Sequence, residues 1–237
     1  MSTIRVSDDY KVLVGLFKKL TGKKALWQVF NDCIEMIAIS IQNAFLHGSK
    51  FRENENRYGE IAKQYSKDEQ KIISQIYSEI INLLEKNPFS DLLGDLYMQL
   101  NMGSDALGQM FTPYNISLLS AEITFDEDTA KSEIENQGYI KVLEPSAGGG
   151  ANVIAFCEVL KNRGYNYQTQ CIVVCQELSR LTAIMCYIVL SLIGCAAVIK
   201  VGDSLCNPYT NYMDECKNGS ELWVTPLFCI NDCIAKV

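Results

Sequence analysis

A glycine-rich turn between a short apolar strand and a helix is the feature that most constrains this chain. Residues 142–152 read VLEPSAGGGAN, which predicts a short apolar strand with the acidic Glu144 at its end, a turn through three glycines, and a helix that begins at Ala151. Glycines allow positive φ and let a ligand approach the main chain closely, and the helix offers free N–H groups at the positive end of its dipole. Because a carboxylate before the turn binds an ammonium or a hydroxyl but repels a pyrophosphate, the turn favours a positively charged nucleoside over a dinucleotide.

The composition is that of an ordinary globular protein. The 237 residues are 48% hydrophobic and 21% charged, which allows one large or two small domains with a real core. No apolar run reaches the roughly 18 residues that a membrane span needs, because residues 181–199 contain Thr182 and Ser191 and fit a buried helix followed by a strand. The polar amino terminus does not resemble a signal peptide, so we expect a cytoplasmic protein with no membrane partner.

The ten cysteines predict reduced, buried thiols. Nine of them lie between Cys157 and Cys233, mostly within apolar strands and helices, and a cytoplasmic protein keeps such thiols reduced. Two pairs have a C-x-x-x-C spacing, which is not that of a usual zinc site, and the chain has a single histidine, His47. We therefore expect the cysteines to pack in the core and to bind no metal.

Charge divides unevenly along the chain. Residues 1–103 contain 13 basic and 13 acidic side chains, whereas residues 104–237 contain 8 basic and 15 acidic ones. The second part therefore carries the whole net charge of −7. A protein that binds a nucleic-acid backbone without a partner usually has a basic face. The composition of residues 104–237 has no excess of basic residues that would form one.

The first hundred residues predict an all-helical region, which we place over residues 1–103. Apolar residues recur there at spacings of three and four, and Ser66 and Glu69 match a capping box at the start of one helix. The polar segment 54–65 fits either a connecting helix or a loop. The predicted helices span residues 11–17, 26–45, 68–86 and 91–100.

From residue 104 onward the pattern alternates between strand and helix. Strands are predicted at residues 140–143, 171–175, 197–201 and 222–225, with helices at residues 151–160 and 179–192. This alternation predicts an α/β domain over residues 104–237, built on a parallel sheet. Ligands of such sheets bind beyond the carboxyl ends of the strands, which is where the glycine-rich turn lies.

Four short segments flank the predicted strands in a distinctive order. They read GQMFTP at 108–113, EPSAGGG at 144–150, QEL at 176–178 and GDSL at 202–205. Their order and content resemble the DNA adenine (N-6) methyltransferases, specifically the modification subunit of type I restriction–modification systems. That family reads close to GQFFTP in the first segment and DPxCGSG in the second, and it carries a ribose-binding acid in the third. The resemblance covers residues 105 to about 228, and GQxFTP is its most discriminating part.

The resemblance implies a Rossmann-like, S-adenosylmethionine-dependent methyltransferase fold whose parallel sheet is incomplete at the carboxyl terminus. It also implies that S-adenosylmethionine is the cofactor. The cofactor-binding residues that it indicates are Phe111, Thr112, Pro113, Glu144, Ser146, Gly148, Gly150, Glu177, Leu178, Asp203 and Ser204.

The chemistry of these positions suits that ligand. Glu177 can accept hydrogen bonds from both ribose hydroxyls, Asp203 can accept one from the adenine amine, and Glu144 can hold the ammonium group. Gly148 gives access to the main chain, and Phe111 offers an apolar wall. Each residue also has a simpler interpretation, since the two later acids could be surface acids at strand ends and Phe111 a core aromatic.

The catalytic motif of the family, close to NPPF, corresponds here to residues 225–228, which read TPLF. The resemblance implies Thr225, Pro226 and Phe228 as the catalytic residues. In the family, an amide or acid side chain accepts a hydrogen bond from the target amine, and a threonine hydroxyl is a poor substitute for it. Loss of such a contact lowers the rate by a factor of roughly 10²–10³.

Three functions remain open. The first is methyl transfer to the adenine exocyclic amine of DNA, with DNA bound through a separate specificity subunit because the chain is acidic. The second is a catalytically inactive S-adenosylmethionine-binding or assembly module, and the third is a methyltransferase for another substrate. Other protein subunits or a second copy of the chain are further expected partners.

Overall fold

The structure of the protein, a computed structural model, describes residues 10–22, 24–100 and 111–231. The chain forms two units, which consist of Met1–Pro88 with Leu92–Met110 and of Phe89–Asp91 with Phe111–Val237. The boundary predicted after residue 103 lies outside the described residues.

The first unit contains helices wherever the apolar spacing predicts them. They are α1 (Lys11–Lys19), α2 (Leu26–Asn43), α3 (Gly48–Ala62), α4 (Lys67–Lys86) and α5 (Leu92–Gln99). The capping box is confirmed, since Ser66 Oγ accepts from Glu69 N at 3.3 Å and Glu69 Oε2 accepts from Ser66 N at 2.7 Å. The polar segment left open by the sequence is the helix α3, which packs on α2 through a buried Asn54 whose Nδ2 donates to Gln42 Oε1 at 2.7 Å.

The second unit is built on a four-stranded sheet of order β1-β2-β3-β4. The strands are β1 (Ile140–Glu144), β2 (Cys171–Glu177), β3 (Ala196–Val201) and β4 (Leu222–Val224). Strand β2 pairs with β1 and β3 in parallel, for example Val173 with Val142 and Val174 with Val198. The predicted parallel sheet is confirmed for these three strands.

The prediction that the fourth strand is also parallel is wrong. Strand β4 runs antiparallel to β3, with Trp223 opposite Ile199. A parallel strand needs a crossover that returns the chain to the starting edge of the sheet. Here the connection contains only the helix α11 (Tyr212–Lys217), which is about 9 Å long. The chain re-enters the sheet at the edge where β3 ends, as Val201 N donates to Glu221 O at 3.0 Å.

Helices cover both faces of this sheet. They are α6 (Tyr114–Thr124), α7 (Glu127–Gln137), α8 (Ala151–Asn162), α9 (Tyr167–Gln170), α10 (Arg180–Leu192), α11 and α12 (Pro226–Ile230). On one face Tyr187 of α10 lies against Trp223, with ring centroids 5.2 Å apart. On the other face Phe228 of α12 packs on Ile172, Val174 and Val198.

The prediction that the cysteines are buried is confirmed for six of the described ones and is wrong for three. Six described cysteines are buried, and all nine described ones are free thiols. The exposed ones are Cys206, Cys216 and Cys229. Within the described residues, no group of cysteine, histidine and acidic side chains is arranged to hold a metal ion. In the same residues, no helix combines the length and the apolar character needed to cross a membrane.

Candidate functional site

The strand β1 ends in a carboxylate that the following turn holds in place. Glu144 Oε1 accepts hydrogen bonds from Ser146 N at 3.0 Å and from Ser146 Oγ at 3.3 Å. Glu144 Oε2 accepts one from Asn152 Nδ2 at 3.1 Å. Since a carboxylate oxygen accepts two hydrogen bonds, Oε2 retains capacity for an additional donor, such as an ammonium group.

Two glycines of the turn have backbone angles that other residues rarely adopt. The φ angle is 53° at Gly148 and 99° at Gly150, both in the left-handed region. Space is restricted as well, because a β-carbon on Gly150 would lie 3.1 Å from Cys186 Sγ. At Gly148 a β-carbon would make only ordinary van der Waals contact, at 3.5 Å, with two ring atoms of Phe111. The turn therefore presents bare main chain at the amino end of α8, with an aromatic ring beside it.

Glu177 joins the end of β2 to this turn. Its Oε2 accepts a hydrogen bond from Gly148 N at 2.8 Å, and its Oε1 accepts one from Ser179 N at 2.8 Å. Both carboxylate oxygens keep a second acceptor position. Glu177 can therefore bind two hydroxyl groups while it remains attached to the turn.

Asp203 lies in the turn after β3, and this turn is joined to the end of β2. Gly202 N donates to Glu177 O at 2.9 Å, and Asp203 Oδ1 accepts from Leu205 N at 2.8 Å and from Cys206 N at 3.2 Å. These hydrogen bonds, that of Leu205 first, hold the pKa of the Asp203 carboxyl below its usual value. The group is therefore an anion at neutral pH.

Apolar side chains next to these acids face solvent. Leu178, which follows Glu177, is 72% exposed, and Leu205 is 92% exposed. Ser204, between Asp203 and Leu205, is half-buried. A flat apolar ligand bound beside the two acids would remove leucine surface from water.

The predicted first segment is described only in part. Phe111 is half-buried and stands against Gly148, whereas Thr112 and Pro113 are exposed at the start of α6. Residues 108–110 lie outside the described residues. The structure thus places Phe111 beside the glycine turn.

A groove of about 400 Å³ runs along the outer edge of β1, between α6 and α8. Glu144 and Asn152 line it together with apolar residues such as Val153 and Phe156. Glu144 therefore faces both this groove and the glycine turn.

The family model of the N-6 DNA methylases matches residues 89–219, more than half of the chain. The protein belongs to the N-6 DNA methylase family. The matched residues contain Glu144, Glu177 and Asp203 and end before Thr225. No curated protein and no solved structure matches the chain.

The residues predicted to be catalytic in this member of the N-6 DNA methylase family lie away from the acids. Because β4 is antiparallel, Thr225 follows the strand at the edge where β3 begins. Its hydroxyl donates to Cys195 O at 2.7 Å and accepts from Ala197 N at 2.8 Å. Thr225 and Phe228 are both fully buried, and Pro226 begins α12. The structure does not bring these three residues together with Glu144, Glu177 and Asp203.

Sequence reasoning missed a buried ion pair below the turn that contains Asp203. Lys200 Nζ lies 2.8 Å from Glu215 Oε2, and the two side chains are 1% and 2% exposed. A lysine within the apolar run 196–201 was the available signal, because lysine is almost never fully buried unless it is paired.

Proposed function

We propose that this N-6 DNA methylase family member binds S-adenosylmethionine at the edge where β1, β2 and β3 end. The observation that carries the proposal is the hydrogen bond from Gly148 N to Glu177. This bond holds a carboxylate that would accept from two ribose hydroxyls beside the main chain of the turn, in which a β-carbon at Gly150 would displace Cys186.

The residues at this edge fit the parts of the cofactor. Glu177 would bind the ribose hydroxyls and Asp203 the adenine amine, while Oε2 of Glu144 would bind the ammonium group. Leu178 would cover one face of the adenine ring, and Phe111 would pack on the ligand beside Gly148. Ser146 acts on Glu144, since both of its donors hold that carboxylate.

When bound, S-adenosylmethionine supplies a methyl group activated by a sulfonium centre. The residues of this chain would orient that group and keep three carboxylates near the ligand, which compensate its positive charges. The acceptor that the family implies is the exocyclic amine of adenine in DNA. We therefore propose DNA as the substrate and methyl transfer to adenine as the reaction to which this site contributes.

The charge of the chain bears on how DNA would be bound. All of the net charge of −7 lies in the unit that contains the acids, and phosphate contacts need lysine and arginine. We propose a type I restriction–modification complex in which a separate specificity subunit supplies the basic surface. The free thiols of the described cysteines fit the reducing cytoplasm.

A second function is favoured by one specific observation. The hydroxyl of Thr225 is buried against Cys195 and Ala197, so it cannot accept a hydrogen bond from a target amine in this arrangement. This placement favours a catalytically inactive module that binds S-adenosylmethionine or takes part in assembly.

Calorimetric titration of S-adenosylmethionine and S-adenosylhomocysteine into the purified chain tests cofactor binding. We expect micromolar affinity that Glu177→Ala and Asp203→Ala each weaken by about ten-fold or more. Glu122→Ala is the matched control, because this exposed acid pairs with Arg163 on the surface of the same unit. A folded chain that binds no ligand at millimolar concentration would refute the proposal.

Transfer of a labelled methyl group to adenine-containing DNA separates the two functions. Incorporation by the chain together with a specificity subunit supports the enzyme, and its absence in a chain that binds the cofactor supports the inactive module. The variant Thr225→Asn with Leu227→Pro restores the family motif. If it gains no activity, the position of the segment, rather than its side chains, prevents transfer.

A further inference from the structure

Buried side chains of the sheet hold the loop that contains Asp203. We call residues 202–211 the β3–α11 loop. Lys200, at 1% exposure, donates from Nζ to Asn207 O at 3.0 Å, to Asn207 Oδ1 at 3.2 Å and to Pro208 O at 3.4 Å. Asn207 N in turn donates to Asp203 O at 2.8 Å. A continuous set of hydrogen bonds therefore joins the Lys200 ammonium to the main chain of Asp203.

The counterion of Lys200 holds the far end of the same loop. Glu215, on α11, lies 2.8 Å from Lys200 Nζ. Its Oε1 accepts from Thr210 N at 3.0 Å and from Thr210 Oγ1 at 3.3 Å, and its Oε2 accepts from Ser220 Oγ at 2.6 Å. The ion pair thus contacts both the middle and the end of the loop.

A neighbouring strand adds a third anchor. Gln176, which precedes Glu177 and is 1% exposed, donates from Nε2 to Asn207 O at 2.8 Å and accepts at Oε1 from Tyr209 N at 3.0 Å. Asn207 O therefore receives hydrogen bonds from two buried side chains on two adjacent strands.

We propose that Lys200 and Glu215 are positioning residues that hold the β3–α11 loop so that the carboxylate of Asp203 is presented to the ligand. This inference rests on the proposed function. Burying two charges costs much of what their attraction returns, and apolar residues of the same volume are often as stable. What the pair adds is a single conformation for a loop whose side chains Asp203 and Leu205 are exposed to solvent.

Hydrogen exchange and calorimetry on one set of variants test the proposal. The double variant Lys200→Met with Glu215→Gln removes both charges and leaves a side chain of similar size at each position. Its matched control is Arg163→Met with Glu122→Gln. This control removes an exposed ion pair of the same unit, in which the guanidinium nitrogen of Arg163 lies 2.7 Å from Glu122 Oε2.

In the double variant we expect the amides of Leu205, Cys206, Asn207 and Tyr209 to lose about ten-fold or more of their protection, while those of β1 and α8 keep theirs. We also expect the affinity for S-adenosylmethionine to fall about ten-fold, with no change in the control. Unchanged loop protection, unchanged affinity, or an equal loss of protection at every amide would each overturn the proposal.

Two further measurements keep the test decisive. If the double variant does not fold, hydrogen exchange in the wild-type chain tests the proposal instead. The proposal requires that the loop amides are as protected from exchange as those of β3 before any ligand is added. If the wild-type chain binds no S-adenosylmethionine, the proposed function fails, and the loop protection still shows whether the pair holds Asp203.

Discussion

The main-chain N–H of Gly148 donates a hydrogen bond to Glu177 Oε2 at 2.8 Å. This bond joins the turn after β1 to the end of β2, and it leaves each oxygen of Glu177 with a free acceptor position. One side chain can therefore stabilise the turn and still accept hydrogen bonds from the hydroxyls of a ligand.

Replacing Glu177 with glutamine should lower the stability of the turn and weaken the binding of the ligand hydroxyls. The amide nitrogen of the new side chain cannot accept a hydrogen bond, so one of the N–H groups of Gly148 and Ser179 loses its partner. We expect a loss of about 1–3 kcal/mol in the free energy of unfolding, measured with urea, and weaker binding of S-adenosylmethionine. Glu158→Gln is the control, since Glu158 accepts from Tyr114 OH at 2.7 Å. Equal effects of the two variants on affinity would contradict the prediction.

Replacing Gly150 with alanine should destabilise the protein more than the same change at Gly164. Both glycines have positive φ, 99° and 87°, but only at Gly150 does a β-carbon approach a neighbour, Cys186 Sγ at 3.1 Å. The backbone strain is common to both variants and is about 1–3 kcal/mol. We expect Gly150→Ala to cost about 1–3 kcal/mol more because of overpacking. Urea unfolding of the two variants gives this difference directly, and a difference near zero would show that Cys186 moves freely.

Replacing Thr225 with valine should affect stability and not cofactor affinity. The change removes the hydroxyl that bonds to Cys195 O and Ala197 N and leaves both groups buried without that partner. We expect a loss of about 1–3 kcal/mol in the free energy of unfolding. Thr182→Val serves as control, because Thr182 is equally buried and its hydroxyl bonds to a single acceptor, Ser179 O. A large loss of S-adenosylmethionine affinity in Thr225→Val would place Thr225 near the ligand instead.

The ion pair of Lys200 and Glu215 should make the free energy of unfolding depend on pH in the acid range. Burial raises the pKa of Glu215, but hydrogen bonds from Lys200, Ser220 and Thr210 together outweigh it, and the pKa lies below its usual 4.5. The folded state then binds fewer protons than the unfolded chain, so the stabilisation is fully present above pH 4.5 and is lost as the pH falls through the lower folded pKa.

At neutral pH we expect Glu215→Gln to lower the free energy of unfolding by about 3–5 kcal/mol, because Lys200 loses its counterion. The gap between variant and wild type should narrow as the pH falls below 4.5. Urea unfolding between neutral and acid pH measures it. A gap that stays constant over that range would show that the charge of Glu215 contributes nothing.

The acidic balance predicts that the isolated chain does not bind duplex DNA tightly at physiological salt. With a net charge of −7, the chain gains little from the release of counterions that drives non-specific binding. Fluorescence anisotropy of a labelled duplex, recorded with and without a specificity subunit, tests this. Tight binding by the chain alone would contradict the prediction.

Local patterns in the sequence predicted the four strands, the helices α1, α2, α4, α5, α8 and α10, and the acids at the ends of the strands. The period of apolar residues indicated α2 and α4, and the capping box at Ser66 is formed as predicted. The segment 142–152 contains the end of a strand, a turn and the start of a helix, as its sequence predicts. These features depend on neighbours within a few residues, so they can be read without knowledge of the fold.

Tertiary contacts decided the rest. The antiparallel direction of β4 follows from a connection that contains only α11, and Lys200, Gln176 and Glu215, which contact that connection, come together only in the folded sheet. The same direction puts Thr225 at the edge opposite Asp203, although both follow predicted strands. Sequence by itself located the end of each strand to within about two residues. Only the tertiary structure decided which ends share an edge, because the direction in which a strand pairs depends on contacts between residues that are far apart in the sequence.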